Sequence, residues 1–459
     1  KPLRSRVVRA LYRSVMRMAA PFLTLKYRRR ARLEPLYAHD LPARRGYYTG
    51  AAAGEYVWVH AVSLGETRAC LPLIEAIRRR WPDSQLLLTH GTATGWAAGT
   101  PLLRAGDQQT WLPWDEPASV QRFLAHFKPR MGLLMETEVW PELVVACAER
   151  QLPLYLVNGR LSERSLHKAS RFGLTTLSHL AFSALGGVVA QTADDAMRFE
   201  QLGARVLGHL GNVKFDVTVH EAAQAQGQQW RQGLTKPVVM LASSREGEEH
   251  AWVDALLSEA TQMTLSLSAC HWLLVPRHPH RVAEIERLLL GAGFDVQKRS
   301  AWAAAGPSDV SAMNGPSAKP CIWLGDSVGE MPVYYALADV ALMGGSFAVF
   351  GGQNLIEAAA CGCPVVVGPH TYNFAQAADW AIACGAAVRA PDMQEALMAG
   401  VAIADDVGLR AEMSQAALTL VATHQGASAR TIDCVARAAE GNATDARTVG
   451  PENLRTLGL

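Results

Sequence analysis

Residues 336–370 constrain the fold of this chain most, because apolar runs alternate there with glycine turns. The run Val340–Met343 is typical of a buried parallel strand, and it ends in Gly344-Gly345-Ser346. The pair Gly351-Gly352 precedes a predicted helix, and a second apolar run, Pro364–Val367, follows that helix. Strand, glycine turn, helix and strand in this order predict one βαβ unit of a parallel sheet.

Glycines at the carboxyl end of a parallel strand allow backbone N–H groups to approach a phosphate or a sugar. The partial positive charge of the following helix N-terminus would favour an anion there. Glu357 lies in the first turns of the predicted helix, where its carboxylate could accept hydrogen bonds from a ribose diol. An ordinary glycine-rich turn of a doubly wound protein has the same pattern, so both interpretations stay open at this point.

The same alternation continues on both sides of an apolar-poor segment, His220–Lys236. The pattern predicts an α/β fold of two Rossmann-like parallel-sheet domains with a cleft between them, residues 46–219 and 220–440. The last helix of the second domain could pack back on the first, and residues 441–459 are predicted to be disordered. One amphipathic helix is predicted over Thr67–Arg80. The further predicted strands are Tyr56–Val62, Leu86–Thr89, Met131–Met135, Leu154–Val157, Val188–Ala190, Arg205–Leu210, Pro237–Ala242, Trp272–Val275 and Pro320–Leu324.

Residues 1–45 are strongly basic, with 13 Lys/Arg and 2 Asp/Glu, although the formal net charge of the whole chain is only +2. A helix with arginines among apolar residues is predicted over residues 3–27. Its longest uncharged run, Met18–Leu25, has eight residues, far fewer than the ~20 needed to span a bilayer. We expect a helix that lies on an anionic membrane surface. A nucleic-acid arm, a transit peptide and a solvated helix are the alternatives.

Eight cysteines are scattered along the chain without a CxxC pair. This distribution favours a reducing compartment and argues against a structural zinc site. No metal ligand set and no cofactor are therefore predicted from the cysteines.

Three acidic residues follow predicted strands of the first domain. Glu66 lies on a Gly-Glu turn, where a rigidly held carboxylate could act as a general base. An acid that only stabilises the first turn of a helix through the helix dipole would give the same sequence pattern. Glu136 and Glu138 would share one face if their strand continues, and two close carboxylates would raise the pKa of one of them. A solvated strand end is the alternative.

Cationic and hydroxyl side chains follow strands of the predicted sheets as well. Ser244 and Arg245 precede a predicted helix, where a hydroxyl and a guanidinium could hold a phosphate. Arg277 ends the next strand beside His278 and His280, and Lys214 follows the last strand of the first domain. Because parallel strands end at one edge of a sheet, we expect these groups to converge there.

Taken in order, several motifs resemble the bacterial 3-deoxy-D-manno-octulosonic acid (Kdo) transferases over about residues 8–435. The motifs are HAVSLGE (60–66), ETEVWPE (136–142), NGRLSERS (158–165), GNVKFD (211–216), LVPRHPHR (274–281) and the glycine-rich stretch that begins at Gly344. The resemblance implies a GT-B fold, an N-terminal membrane anchor on the cytoplasmic face of the bacterial inner membrane, and no metal or cofactor. It implies CMP-Kdo as donor and the lipid A precursor lipid IVA as acceptor, with inversion at the anomeric carbon.

The resemblance also assigns expected roles to individual residues. Glu66 resembles the catalytic base that deprotonates the glucosamine 6′-hydroxyl, and Glu136 resembles an active-site acid. Glu357, with Asn354 one turn before it, matches the carboxylate expected on the CMP ribose. The remaining positions align with segments around the donor: Lys214, Ser244, Arg245, Arg277, Gly344, Gly345, Ser346, Gly351 and Gly352.

Two other classes of function remain as alternatives. A GT-B sugar-nucleotide epimerase, or a transferase that uses another ulosonic acid or a UDP-sugar, would share the glycine pattern of the second domain. A basic-tailed nucleic-acid or membrane-binding protein without activity would leave the acids and cations at the strand ends unexplained. Because an anionic phosphoglycolipid accounts for the basic N-terminus, no nucleic-acid partner is expected.

Overall fold

The computed structural model describes residues 2–32, 34–49, 54–170, 174–217, 220–259, 267–308 and 321–448. The chain forms two compact units. It passes from the first unit to the second after Asp216 and returns to the first after Thr423. Among the described residues, each unit contains one parallel sheet of seven strands flanked by helices.

The first sheet has the strand order β3-β2-β1-β4-β5-β6-β7, and the second has the order β10-β11-β9-β8-β12-β13-β14. The strands of the first unit are β1 Tyr56–His60, β2 Gln85–His90, β3 Gln108–Trp111, β4 Met131–Met135, β5 Leu154–Gly159, β6 Gly187–Ala190 and β7 Val206–His209. Those of the second are β8 Val238–Ser244, β9 His271–Pro276, β10 Asp295–Lys298, β11 Cys321–Leu324, β12 Val340–Met343, β13 Val365–Val367 and β14 Ala387–Arg389. The α/β fold class with two Rossmann-like parallel sheets is thus confirmed.

The helices of the first unit are α1 Pro2–Arg30, α2 Leu64–Ala69, α3 Leu71–Arg80, α4 Ala93–Gly99, α5 Pro117–Phe127, α6 Pro141–Glu149, α7 Glu163–Ala169, α8 Thr175–Ser183 and α9 Ala193–Gln201. The second unit contains α10 Glu221–Gln232, α11 Glu248–Leu257, α12 Val282–Gly291, α13 Met331–Leu337, α14 Leu355–Ala360, α15 Ala375–Ala383, α16 Met393–Asp405 and α17 Val407–His424. The last helix, α18 Ala427–Thr448, belongs to the first unit. None of the helices in the described ranges combines the length and the apolarity needed to cross a membrane.

Both faces of the first sheet are covered, which is why the central strands β1, β4 and β5 are buried at every position and mostly apolar. Trp58 and Leu134 lie in the core on one face, and Val59 and Leu133 lie in the core on the other. Successive residues of a strand point to opposite faces, so β1 and β4 contribute to both cores.

The last helix returns to the first unit and packs in the same core as α3. Ile432 and Val435 are buried there with Leu73 of α3. The Asp216 carboxylate accepts hydrogen bonds from the N–H groups of Ala427 (3.2 Å) and Ser428 (2.6 Å), which caps α18 at its first residues.

The helix α18 continues to Thr448, so residues 441–448 of the tail that was predicted to be disordered are helical. Gly441 lies inside this helix, and a single glycine costs only about 1 kcal/mol relative to alanine, which does not end a long helix. The remaining tail residues, 449–459, lie outside the described part of the chain.

The helix predicted over Thr67–Arg80 is two helices, α2 and α3, which meet at Cys70. Pro72 explains the break, because proline has no N–H group to donate to the carbonyl of Arg68 in a continuous helix. The strands β3, β10 and β14 were not predicted. All three lie at sheet edges: β3 and β14 are buried only in part, and no residue of β10 is fully buried.

Candidate functional site

The order of the first sheet reverses between β1 and β4, so the segments that follow these strands leave the sheet in opposite directions. In parallel sheets such a switch point opens a crevice at the carboxyl ends of the strands, where ligands bind. Glu66 follows β1 and Glu136 follows β4. The fold therefore brings the two predicted carboxylates to one place in the first unit.

Glu66 is held at the start of α2 by a reciprocal capping arrangement with Ser63. The Ser63 hydroxyl accepts the Glu66 N–H (3.4 Å) and donates to Glu66 Oε1 (3.0 Å), while Oε2 accepts the Val62 N–H (3.0 Å). Burial, together with the charges of Glu136 and Glu138, raises the pKa of Glu66 to about 7 against the effect of these hydrogen bonds. Glu66 is thus both the acid that caps α2 and a carboxylate whose pKa lies near neutral pH.

Glu136 has a left-handed backbone (φ 56°), which is uncommon for a residue with a side chain. β4 therefore ends at Met135, and Glu136 and Glu138 do not share the face of a continuing strand, contrary to the sequence-based expectation. The Glu138 carboxylate instead accepts the indole N–H of Trp140 (3.0 Å). Burial raises the pKa of Glu138, and the charge of Glu136 adds to this effect.

Lys214 forms an ion pair with Glu136, with 2.8 Å between Nζ and Oε1. It lies in a 3-10 turn, Val213–Phe215, whose first residue donates its N–H to Asn158 Oδ1 (3.1 Å). Asn212 accepts the Lys214 N–H (3.0 Å) and donates to Gln191 Oε1 (3.1 Å). Asn158, Gln191 and Asn212 follow or end β5, β6 and β7, so this amide network fixes the turn that carries the lysine.

The sequence analysis assigned no role to these three amides. Each amide lies at or after the end of a buried apolar run, which the sequence shows. The hydrogen bonds between them depend on the strand order β5-β6-β7, which the sequence does not show. Asn158 also has a left-handed backbone (φ 52°), which no apolar pattern reveals. Buried amides that bond one another in this way hold a unique geometry, because each lost partner is costly.

In the second unit the strand order reverses between β8 and β12. Ser243, near the end of β8, has a left-handed backbone (φ 55°), and Gly344 directly follows β12. A side chain at Gly344 would overlap the Ser243 carbonyl, so glycine is required where these two chains approach each other. The second switch point therefore lies where the sequence predicted the donor site.

The buried Glu248 carboxylate fills the loop after β12. It accepts the N–H groups of Gly345 (2.7 Å), Phe347 (3.0 Å) and Ala348 (3.2 Å), and also that of Arg245 (2.8 Å). The predicted approach of these amides to a ligand phosphate is thus replaced, at Gly345, by an internal carboxylate. Burial raises the pKa of Glu248, although the four N–H groups oppose the shift.

Ser244 and Ser346 are buried and also bond within the protein. The Ser244 hydroxyl donates to Glu249 Oε1 (2.7 Å), which also pairs with Arg281 (2.6 Å). Ser346 donates to the Met343 carbonyl (2.5 Å) and accepts the N–H of Gly368 (2.7 Å). These hydroxyls hold the loops around the switch point together.

Arg245, Arg277, His278 and His280 form a cluster at the ends of β8 and β9, which we call the cationic cluster. The Arg245 guanidinium lies 4.2 Å from the centre of the Phe350 ring, and its Nε donates to Glu246 (2.9 Å). The pKa of His278 is lowered by burial and by the charges of Arg245 and Arg277. At neutral pH His278 is therefore uncharged and adds no positive charge to that of the two arginines.

Asn354 and Glu357 lie at the start of α14, after Gly351 (φ 87°) and Gly352 (φ 79°). Asn354 Oδ1 accepts the Ile356 N–H (3.2 Å), and its Nδ2 donates to Glu357 Oε1 (3.0 Å). This hydrogen bond orients the half-buried Glu357 carboxylate. The two residues are thus brought together as the sequence predicted.

In the described ranges no group of three or more His, Cys, Asp or Glu side chains is arranged to hold a metal ion. The charged groups described at the two switch points are carboxylates and an ammonium in the first unit, and guanidiniums with the carboxylates of Glu248 and Glu357 in the second. Such groups can exchange protons and bind anions without further ligands.

Residues 39–217 match the family model described as 3-deoxy-D-manno-octulosonic-acid transferase (kdotransferase). The chain is 44% identical over 441 residues to the 3-deoxy-D-manno-octulosonic acid transferase of Bordetella pertussis, covering 93% of this chain and 98% of that protein. It is 30% identical over 353 residues to the protein of the same name from Haemophilus influenzae, covering 74% of this chain and 77% of that protein.

Among solved structures, the chain resembles a UDP-GlcNAc 2-epimerase from Neisseria meningitidis bound to UDP-GlcNAc. The TM-score is 0.51 at 14% identity, over 83% of this chain and all of that one (100%). At an identity this low, the comparison shows only that the two folds are similar. It agrees with two Rossmann-like units, as in the GT-B class.

Proposed function

This chain belongs to the 3-deoxy-D-manno-octulosonic acid (Kdo) transferases, glycosyltransferases that use CMP-Kdo, and from this we propose the details of its reaction. The acceptor is the 6′-hydroxyl of lipid IVA, and the anomeric carbon is inverted. A carboxylate acts as general base, and no metal takes part. The observation that carries the proposal is the half-buried group of carboxylates at the first switch point, whose central member, Glu66, has a pKa of about 7.

Glu66 is the base of this proposal. As the acceptor oxygen forms its bond to the anomeric carbon, the bond from that carbon to the CMP phosphate breaks, and the hydroxyl proton passes to Glu66. A base with a pKa near the working pH combines a useful ionised fraction with the strength to accept this proton. Transfer should therefore rise with pH as Glu66, with its pKa of about 7, becomes ionised.

Glu136 and Lys214 support the base in the proposed mechanism. The charge of Glu136 raises the pKa of Glu66, and its ion pair with Lys214 (2.8 Å) keeps both groups in place. The backbone of Glu136 is left-handed (φ 56°). Strained backbone positions of this kind are concentrated at functional sites, because only a surrounding network maintains them.

The second unit is proposed to hold CMP-Kdo. Arg245 and Arg277 of the cationic cluster would bind the phosphate and stabilise the charge that develops on the departing CMP. Glu357, oriented by Asn354 (3.0 Å), would accept hydrogen bonds from the ribose hydroxyls. Ser244, Ser346 and the glycines Gly344, Gly345, Gly351 and Gly352 would shape the loops that surround the nucleotide.

The helix α1 is proposed to lie on the cytoplasmic face of the bacterial inner membrane. Six large apolar side chains at helical spacing are 48% to 73% exposed along one side of it: Val7, Leu11, Val15, Met18, Phe22 and Leu25. Basic residues follow at its end, Arg28, Arg29 and Arg30. An apolar stripe with adjoining cations suits the surface of an anionic bilayer, where the lipid acceptor lies.

Replacing Leu11 and Phe22 of this stripe with serine is expected to weaken binding to vesicles of phosphatidylethanolamine and phosphatidylglycerol. Each apolar side chain withdrawn from the bilayer should cost roughly tenfold or more in partitioning. Co-sedimentation with vesicles measures the effect. Leu290→Ser is the matched control, because Leu290 is 53% exposed on another helix. Equal binding of the double variant and the wild type would contradict the membrane assignment.

The acceptor and donor are tested by incubating the protein with CMP-Kdo and lipid IVA in detergent and analysing the glycolipid by mass spectrometry. The proposal expects a product heavier by one or more Kdo residues, attached at the 6′ position. Transfer only from another sugar nucleotide, or no glycolipid product, would contradict the proposed donor and acceptor pair.

A further inference from the structure

The inner face of α1 is fixed to the first unit by a buried carboxylate. Glu142, whose side chain has 0% exposure, receives Arg9 Nε (3.0 Å) and Arg13 Nη2 (2.7 Å) on its two oxygens. Arg13 Nε adds a third hydrogen bond (2.8 Å), and Arg9 also pairs with Glu149. Burial opposes ionisation of Glu142, but the hydrogen bonds and charges of Arg13 and Arg9 outweigh it and lower the pKa.

A second buried acid joins α1 to the same place. The Tyr12 hydroxyl donates to Asp115 Oδ2 (2.7 Å). Asp115 in turn accepts the N–H groups of Glu142 (2.9 Å) and Leu143 (2.8 Å), which are the first free amides of α6. Side chains from α1 therefore hold the beginning of α6 twice, through Glu142 directly and through Asp115.

The beginning of α6 continues directly from the turn that carries the acids of the candidate site. Glu138 accepts the indole N–H of Trp140 (3.0 Å), and the Trp140 carbonyl accepts the N–H of Val144 in α6 (3.0 Å). Glu138 is also one of the two acids whose charge acts on Glu66. A shift in the first turn of α6 would thus be passed to Trp140 and Glu138 within a few residues.

We propose that α1 is a positioning element of the acceptor-side site, in which Arg9, Arg13 and Tyr12 hold Glu142 and Asp115 so that Glu138 and Trp140 keep their places beside Glu66. This inference rests on the proposed function. The helix whose outer side is proposed to touch the membrane then has a second role on its inner side. Without its two arginines, the buried Glu142 carboxylate loses its counter-ions and must take up a proton or turn towards water.

The test is the double variant Arg9→Gln/Arg13→Gln. It is assayed in detergent micelles, where attachment to a bilayer is not required. We expect kcat to fall by about tenfold to a hundredfold, the cost of a small misplacement in an active site. We expect KM for CMP-Kdo to stay within about twofold, because the donor is proposed to bind in the other unit. Arg150→Gln, an exposed arginine at the end of α6, is the matched control and should behave as the wild type.

The pH profile separates positioning from general support of the fold. The groups that act on Glu66 are Glu136, Glu138, Ser63 and the Val62 N–H. If Glu138 moves away, its charge no longer opposes ionisation of Glu66, and the acid limb of kcat/KM shifts to lower pH. Tyr12→Phe removes a single hydroxyl and should show a smaller shift in the same direction, which keeps the test available if the double variant does not fold.

A lower melting temperature with unchanged kcat and unchanged acid limb in Tyr12→Phe and the double variant would overturn the inference, since α1 would then only support the fold. Normal kinetics with altered vesicle binding would overturn it as well. Failure of the proposed function is distinguishable, because the wild type would then form no Kdo-lipid product in the same assay.

Discussion

Glu66→Gln is expected to lower kcat for Kdo transfer by about 10²- to 10⁴-fold, the usual contribution of a general base. Glutamine keeps the size and one acceptor oxygen, which can still take the Val62 N–H, while its NH2 can donate to the Ser63 hydroxyl oxygen. It cannot accept the proton of the attacking hydroxyl. Binding of CMP, measured by calorimetry, should remain as in the wild type because the nucleotide is proposed to bind to the second unit. Steady-state kinetics with CMP-Kdo and lipid IVA measure the loss.

The control for this prediction is Glu75→Gln, an exposed carboxylate on α3. It should leave kcat unchanged.

The folded pKa of Glu66 is about 7, above that of an unfolded glutamate, so its ionisation opposes folding at high pH. Glu66→Gln should therefore not lower the melting temperature at pH 8, which excludes unfolding as the reason for lost activity. Nearly normal turnover in Glu66→Gln would show that another group is the base, with Glu136 the next candidate.

Arg277→Gln is expected to lower kcat/KM by about 10²- to 10³-fold, comparable with the loss of one preorganised donor to a developing anion. Arg277 follows β9, and its N–H bonds the Ser244 carbonyl (3.0 Å), which ties it to the second switch point. The proposed phosphate of CMP carries negative charge that grows as the bond to Kdo breaks. Removing a guanidinium should therefore weaken transition-state binding more than ground-state binding, and kcat should fall as well as affinity.

Arg277→Lys should lie between the wild type and Arg277→Gln, because lysine keeps the charge but not the two-pronged geometry. Arg287→Gln is the control, an exposed arginine on α12 whose side chain bonds only its own helix in the contacts described (Ala283 carbonyl, 3.2 Å). Inhibition by CMP, measured beside the transfer kinetics, shows whether ground-state binding changes. A kcat/KM within about threefold of the wild type would exclude Arg277 from the phosphate site.

The sequence predicted the central strands well because each is a short apolar run that ends in polar or glycine residues. Parallel strands covered on both faces are mostly apolar, so β1, β4, β8 and β12 show a clear signal. The edge strands β3, β10 and β14 do not, since one side of an edge strand has no neighbour. Gln108-Gln109 in β3 and Asp295-Val296-Gln297-Lys298 in β10 are the polar sequences that result.

The site could be predicted only in part, for a related reason. Glu66, Glu136 and Arg277 could be named as candidates because each follows a strand, and the strand ends of a parallel sheet share one edge. The left-handed backbone at Glu136 and the occupation of the Gly345 amide by Glu248 could not be foreseen. Both depend on which distant chain segment lies beside them, and no local pattern of residues encodes that neighbour.

The most direct test of the central claim is the pH dependence of single-turnover Kdo transfer in the wild type and in Glu136→Gln. We expect an acid limb near pH 7 for the wild type, set by Glu66. In the variant the limb should move to lower pH, because one negative charge beside Glu66 is gone and Lys214 is released from its partner. An acid limb at the same pH in both proteins, whatever their rates, would contradict Glu66 as the base and Glu136 as the group that tunes it.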